Sequence, residues 1–168
     1  MIIVHNKKHS KNSENEELAR KLIKTVNTIL DRYKRYSRLI GYPGDWGERA
    51  FRAWLAYEVF HILLQWPIEN IVFGEVYDIL LVDAQVRPVI YVETKKPEIT
   101  LTRRLLDKSI ERANHFFSIQ YVLLTNGIDW HLYDLLKDRV ERVNIKRLEL
   151  ETIGSLLNKL HGKYYCEA

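Results

Sequence analysis

The sequence predicts an α/β sandwich, a mixed central β-sheet flanked by helices. Three observations point there. The chain opens with two helical patterns, the second apolar almost all round, as a central buried helix is. Two nearly continuous apolar runs follow over 76–82 and 89–94, the signature of strands covered on both faces. A helical stretch over 101–117 then precedes further short strands, which gives the layered alternation of an α/β domain.

The elements follow in order. Residues 5–15 are polar, rich in Lys, Asn and Ser, and without periodicity, so a flexible tail is expected over 1–12. Ser13 with Glu16 resembles a capping box. It opens a helix running to about residue 39, with Leu18, Leu22, Val26 and Ile29/Leu30 on one face. Arg20, Lys21, Lys24, Arg32, Lys34, Arg35 and Arg38 lie on the other, and Gly41-Tyr42-Pro43-Gly44 ends it. Asp45 can cap a second helix over 46–64, stopped before Pro67. Its apolar residues are Phe51, Trp54, Leu55, Val59, Phe60, Ile62 and Leu63. Ile71-Val72-Phe73 forms or leads into a first strand. The 101–117 helix has Leu106, Ile110, Ala113 and Phe117 at helical spacing. Residues 121–125 read as a strand, Asn126-Gly127 as a turn and 129–135 as a partly alternating strand. A strand around 140–145 and a helix over 148–160 close the pattern. No repeat or linker divides 13–168, which reads as a single domain.

A length of 168 residues favours one domain and suffices to bury a core without disulfides. Cys166 is the only cysteine, which excludes an intrachain disulfide and fits a reducing, cytoplasmic compartment. No apolar stretch is long enough to span a bilayer and no N-terminal segment reads as a signal peptide, so no membrane partner is expected. The formal charge of +4 is compatible with a polyanionic partner without establishing one. No zinc pattern, phosphate-cradling glycine loop, Ser/His/Asp arrangement or helicase motor motif rises above chance.

The chemistry concentrates in Asp78, Glu93 and Lys95, charges set inside two very apolar segments. Charge is costly to bury unless paired or bound to a metal. A symmetric hairpin register pairing Asp83 with Pro88 places Asp78 opposite Glu93, and directly opposed residues have Cβ atoms about 4.5–5.5 Å apart. Two carboxylates at that separation can share a divalent cation, with the Thr94 carbonyl as a further ligand. Lys95, two residues beyond Glu93, projects from the same face of the strand. Held this way, Mg²⁺ (with Mn²⁺ as a substitute) lowers the pKa of a bound water and neutralises a scissile phosphate, and Lys95 either positions the attacking water or stabilises the transition state electrostatically. Each charge alone fits an ordinary ion pair as well. Asp83, beside the loop, reads as a turn residue.

At these positions the chain resembles the PD-(D/E)XK nuclease superfamily, with Asp78 as the motif's Asp and Glu93-Thr94-Lys95 as its (D/E)XK. The resemblance implies the restriction-endonuclease-like fold and Mg²⁺-dependent DNA cleavage. Glu48, in Gly47-Glu48-Arg49-Ala50-Phe51, resembles a glutamate that many members carry on the first core helix, facing the metal. Helix macrodipoles favour an acid in the first turn in any case, so its position alone does not separate the two roles. The segment from Tyr121-Val122-Leu123-Leu124-Thr125-Asn126-Gly127 through Tyr133 is similar to the close of the nuclease domain in type I restriction motor subunits, and Glu93-Thr94-Lys95-Lys96-Pro97 suits that branch. The resemblance covers about 46–135. In one departure, that branch often carries Gln, with Tyr a helical turn later, on the helix after the catalytic strand; Arg112 and Phe116 hold the nearest places here.

Arg104, Lys108, Arg112 and His115 follow at helical spacing opposite the apolar stripe. With Lys96 they form a row that can neutralise DNA phosphates or serve as a solvated helix face. Trp46, Trp66 and Trp130 can stack on bases or pack in the core. His61, on an apolar helix, reads as a satisfied core histidine. The expected function is a Mg²⁺-dependent DNA endonuclease with Glu48, Asp78, Glu93 and Lys95 as catalytic residues, acting as a homodimer or within a larger restriction or repair assembly. The alternative is a catalytically silent nucleic-acid-binding or protein-interaction module that keeps the nuclease fold.

Overall fold

Period-two alternation in two neighbouring strands feeds two separate cores. Ile79, Leu81, Ile90 and Val92 enter one, while Leu80, Val82 and Tyr91 enter the other. The computed structural model describes the backbone of residues 3–40 and 46–167, with side chains described over 10–37 and 47–167. Helix α1 (Ile3–Ile40) is followed by α2 (Trp46–Trp54), which continues as a π-helical segment (Leu55–Leu63). Then come β1 (Ile71–Phe73), β2 (Ile79–Val82), β3 (Pro88–Thr94), α3 (Arg103–Ala113), β4 (Tyr121–Thr125), β5 (Asp129–Asp134), β6 (Arg139–Asn144), α4 (Leu150–Lys159) and α5 (Lys163–Cys166).

The six strands lie in sequence order in one sheet. Only β3 and β4 run parallel, joined through α3; the other neighbours are antiparallel. The sheet is therefore mixed, as expected. Leu22, Val26 and Ile29 of α1, Phe51 and Leu55 of the second helix and Ile153, Leu156 and Leu157 of α4 cover one face. Leu106 and Ala113 of α3 cover part of the other, with Thr102 capping that helix by accepting the Leu105 N–H.

Several expectations are corrected. Helix α1 starts at Ile3, well before Ser13. Asn15 is no tail residue: it is buried against α4, donating to Glu151 at 2.9 Å and accepting from Asn158. Gly154 permits this crossing, since a Cβ there would lie 2.0 Å from the Asn15 carbonyl oxygen. With the helix anchored at Asn15, extending it costs only one residue per added bond. Ile62 is exposed, because Leu64 N–H donates five residues back to Val59 and the wider winding rotates Ile62 outward and Leu64 inward. Helix α3 ends at Ala113, so Phe117 lies past it and is fully exposed. Strand β2 begins at Ile79, leaving Val76 and Asp78 before the ladder. The Gly41–Gly44 turn, the Asp45 cap and the side chains of Arg38 and Trp46 lie outside the described residues.

Candidate active site at the carboxyl ends of β3 and β4

In open α/β sheets, ligands bind beyond the carboxyl ends of parallel strands. Here that place is where β3 ends in Glu93 and Thr94 and β4 ends in Thr125, and Lys95 N–H donates to the Thr125 carbonyl at 2.9 Å. The β2–β3 ladder pairs Ile79 with Val92, Leu80 with Tyr91 and Leu81 with Ile90, the expected register. It slips at the loop end, where a bulge pairs Val82 with Pro88. Asp83 therefore closes the turn. Its carboxylate accepts Gln85 N–H, Arg87 N–H and Arg87 Nε–H, each at 2.9 Å.

One step past Ile79, Asp78 lies where the register faces it toward Glu93, but its carboxylate is tied to the next residue. Asp78 Oδ2 accepts the Thr94 N–H at 2.7 Å and the Thr94 hydroxyl at 2.9 Å. Its Oδ1 meets Arg52 at 2.6 Å. Glu93 is buried, and its Oε1 accepts from Lys95 Nζ at 2.8 Å, which puts the lysine on the expected face. Arg112 reaches Glu93 from α3, with NH1 3.5 Å from Oε1 and 3.4 Å from Oε2. Tyr91 O–H points at Glu93 Oε2 from 3.5 Å.

Glu48 sits in the first turn of α2, 3.7 Å from Arg52 one helical turn on. Burial pushes its carboxyl above the usual range, the Lys95 charge pulls it down, and the Asp78 charge pushes it up again. Glu48, Asp78 and Lys95 thus share one electrostatic neighbourhood. Burial pulls the Lys95 ammonium down, but Glu93, Glu48 and Asp78 outweigh it, and the net shift is upward. Burial and the Glu93 charge push the Tyr91 phenol up to about 12.

The sequence reasoning missed Arg52. Its only signal was the four-residue spacing from Glu48, which a helix turns into a shared face. Tyr33 was missed too. It lies beside Gly47, donates to Glu98 at 3.1 Å, and is pushed up to about 12 by burial and that hydrogen bond. Arg112 belongs to the acid cluster as well as to the surface row. Arg104 and Lys108 are exposed along α3, His115 is exposed just past its end, and Lys96 is half-buried just past the strand. Arg32 leaves the basic face of α1, since it pairs with both Glu58 oxygens at 2.8 and 2.9 Å and lies over Trp54. Trp66 and Trp130 are fully buried and donate to the Leu160 and Gly127 carbonyls, so neither can stack on a base. His61 meets the Trp66 carbonyl at 2.7 Å.

Among the described residues, no group of three or more His, Cys, Asp or Glu side chains converges for a metal. Asp78, bonded to the Thr94 N–H, and Glu93, the residue before Thr94, still supply oxygen donors of the kind a hard cation takes. No described helix is long and apolar enough to cross a membrane.

The fold and site define a mixed α/β sandwich domain with an acid–lysine cluster at the end of its parallel strand pair. The family model for the type I restriction enzyme R protein N terminus matches residues 53–148, more than half of the chain, and the chain belongs to that family. No curated protein and no solved structure matches it.

Proposed function

We propose that the chain is a Mg²⁺-dependent DNA endonuclease of the PD-(D/E)XK kind, hydrolysing phosphodiester bonds. The observation that supports this reading is the Glu93–Lys95 pair at the end of β3, with Lys95 Nζ 2.8 Å from Glu93, and Asp78 bonded to the intervening Thr94. Asp78, Glu93 and the Thr94 carbonyl would hold Mg²⁺ or Mn²⁺, which when bound acidifies a water and offsets phosphate charge. Lys95 stays protonated, because its pKa is raised, and so acts on developing negative charge rather than as a proton acceptor. Glu48, with its raised pKa, is a stronger proton acceptor than an ordinary carboxylate. Lys96, Arg104, Lys108 and Arg112 would follow the phosphate backbone. One such site cuts one strand, so double-strand cleavage requires a second copy or a larger restriction assembly.

Linear, branched and supercoiled DNA incubated with Mg²⁺ or Mn²⁺ provides the test. Cleavage by wild type that is lost in Asp78→Ala and Lys95→Ala is the expected result. No cleavage, or equal cleavage by the variants, sinks the enzyme reading. One observation favours the second reading, a non-catalytic nucleic-acid-binding module: both carboxylates are already neutralised by protein cations. Such a module binds DNA with an affinity that falls with salt and has no calorimetric metal site dependent on Asp78 and Glu93.

A further inference from the structure

We infer that Arg112 is an exchangeable counter-ion, which neutralises Glu93 in the resting chain and passes to a DNA phosphate when Glu93 takes a divalent cation. This role rests on the metal-dependent reading of the site. As it stands the cluster is electrically balanced: Glu48, Asp78 and Glu93 face Arg52, Lys95 and Arg112. A divalent ion entering without the departure of a cation leaves the cluster with excess positive charge in a half-buried place, which is costly.

The three cations are not held alike. Arg52 and Lys95 contact their carboxylates at 2.6 and 2.8 Å, with side chains 18% and 21% exposed. Arg112 stands off at 3.4 Å and is 50% exposed. Solvated, long ion pairs contribute little, whereas short desolvated ones are costly to break. Arg112 is therefore the partner that Glu93 releases most readily. Its NH1 lies between the two Glu93 oxygens, and a guanidinium that matches a carboxylate also matches a phosphate. The side chain is also placed for the exchange. Arg112 stands on α3 in line with Lys108 and Arg104, one and two helical turns back, so the released group joins an exposed basic row. Metal and DNA then raise each other's affinity through one side chain, and the coupling is reciprocal.

Calorimetric titration of the full chain with Mn²⁺, in the absence of DNA, tests the exchange. Arg112→Ala is expected to bind Mn²⁺ about tenfold more tightly than wild type, within the usual range for coupled events. With Mn²⁺ present, the same variant is expected to bind a fluorescent phosphorothioate duplex more weakly, with a salt slope shallower by roughly one. Arg112→Lys, keeping the charge, is expected to fall between in Mn²⁺ affinity and to retain the slope. Unchanged or weaker Mn²⁺ binding by Arg112→Ala overturns the exchange, as does unaltered duplex binding. If Mn²⁺ binding is present and abolished by Asp78→Asn yet indifferent to Arg112→Ala, the Arg112 role alone falls. If wild type has no Mn²⁺ site sensitive to Asp78→Asn, the endonuclease reading falls and takes this role with it.

Discussion

Arg52 holds Asp78 at 2.6 Å, tying the second helix to the residue that leads into β2. The same guanidinium donates from Nε to the Thr94 hydroxyl at 3.4 Å and lies 3.7 Å from Glu48. Removing it leaves Asp78, whose side chain is 13% exposed, without its only cation partner among the described salt bridges. Arg52→Ala is expected to lower stability by roughly 3 kcal/mol, as for a buried pair broken from one side. Arg52→Lys should recover part of it, since a point charge cannot serve three acceptors as a planar fork does. Urea unfolding measures both, and a loss below about 0.5 kcal/mol for the alanine variant, the level of an ordinary surface change, contradicts a structural role.

Glu48 supplies a pH-dependent prediction. Its folded pKa is raised, chiefly by burial, above the ordinary 4.5. Stability linked to it is therefore full below 4.5 and declines as pH rises through the raised folded value, because the fold disfavours the ionised form. Glu48→Gln removes that ionisation. The variant should be at least as stable as wild type at neutral pH, with the difference shrinking on acidification toward 4. Thermal unfolding at a series of pH values checks it; a variant distinctly less stable at neutral pH contradicts the sign.

The strands and the acid–lysine cluster were legible because they rest on short-range rules. Alternation in a hairpin fixed the register from Ile79 to Leu81 and set Lys95 beside Glu93. What was not legible depends on contacts made at long range or on local winding. The bulge that pairs Val82 with Pro88 leaves no mark in apolar patterning. The exposure of Ile62 follows from a π-helical winding that a 3.6-residue period does not anticipate. The Arg52–Asp78 pair joins the second helix to the edge of β2, and that placement is set by the helix packing over the sheet rather than by local sequence. The burial of Asn15 needed the distant Gly154 to let α1 and α4 approach.

Lys95 stays charged under assay conditions, because its acidic neighbours raise its pKa despite burial. Lys95→Met retains much of its bulk and removes the charge. Cleavage should fall about 10²–10³-fold, the cost of losing one preorganised donor to a developing charge. Metal binding, read by calorimetry, should survive, since Lys95 competes with the cation for Glu93. A drop in cleavage matched by loss of the metal site would place the defect in the carboxylates instead.

Gly127 makes the turn after β4 at φ +88°, and a Cβ there would lie 2.7 Å from Phe51 Cζ and 3.5 Å from a Val26 methyl. Asn126 braces the same turn, accepting from Ile128 and Asp129 N–H groups and donating to the Ile99 carbonyl at 2.8 Å. Gly127→Ala adds left-handed strain and a clash with a buried ring, so it should cost roughly 2 kcal/mol or more. Denaturant unfolding gives the value. A neutral result means that the turn can shift without disturbing the helix packed over it.

Lys108 separates binding from chemistry. It is exposed on α3, one turn from Arg112, and no described hydrogen bond or salt bridge occupies it. Neutralising a phosphate contact removes about one counterion from the binding equilibrium, so Lys108→Ala should make the salt slope of duplex affinity shallower by roughly 0.9. Arg104→Ala should do the same, and the double variant should add the two changes, as separate phosphate contacts do. Unfolding free energy should stay within about 0.5 kcal/mol of wild type, because neither side chain is buried. Fluorescence anisotropy across a salt series reads the slope. Slopes that do not change in either variant mean that DNA does not run along α3, and that the basic row is an ordinary solvated helix face.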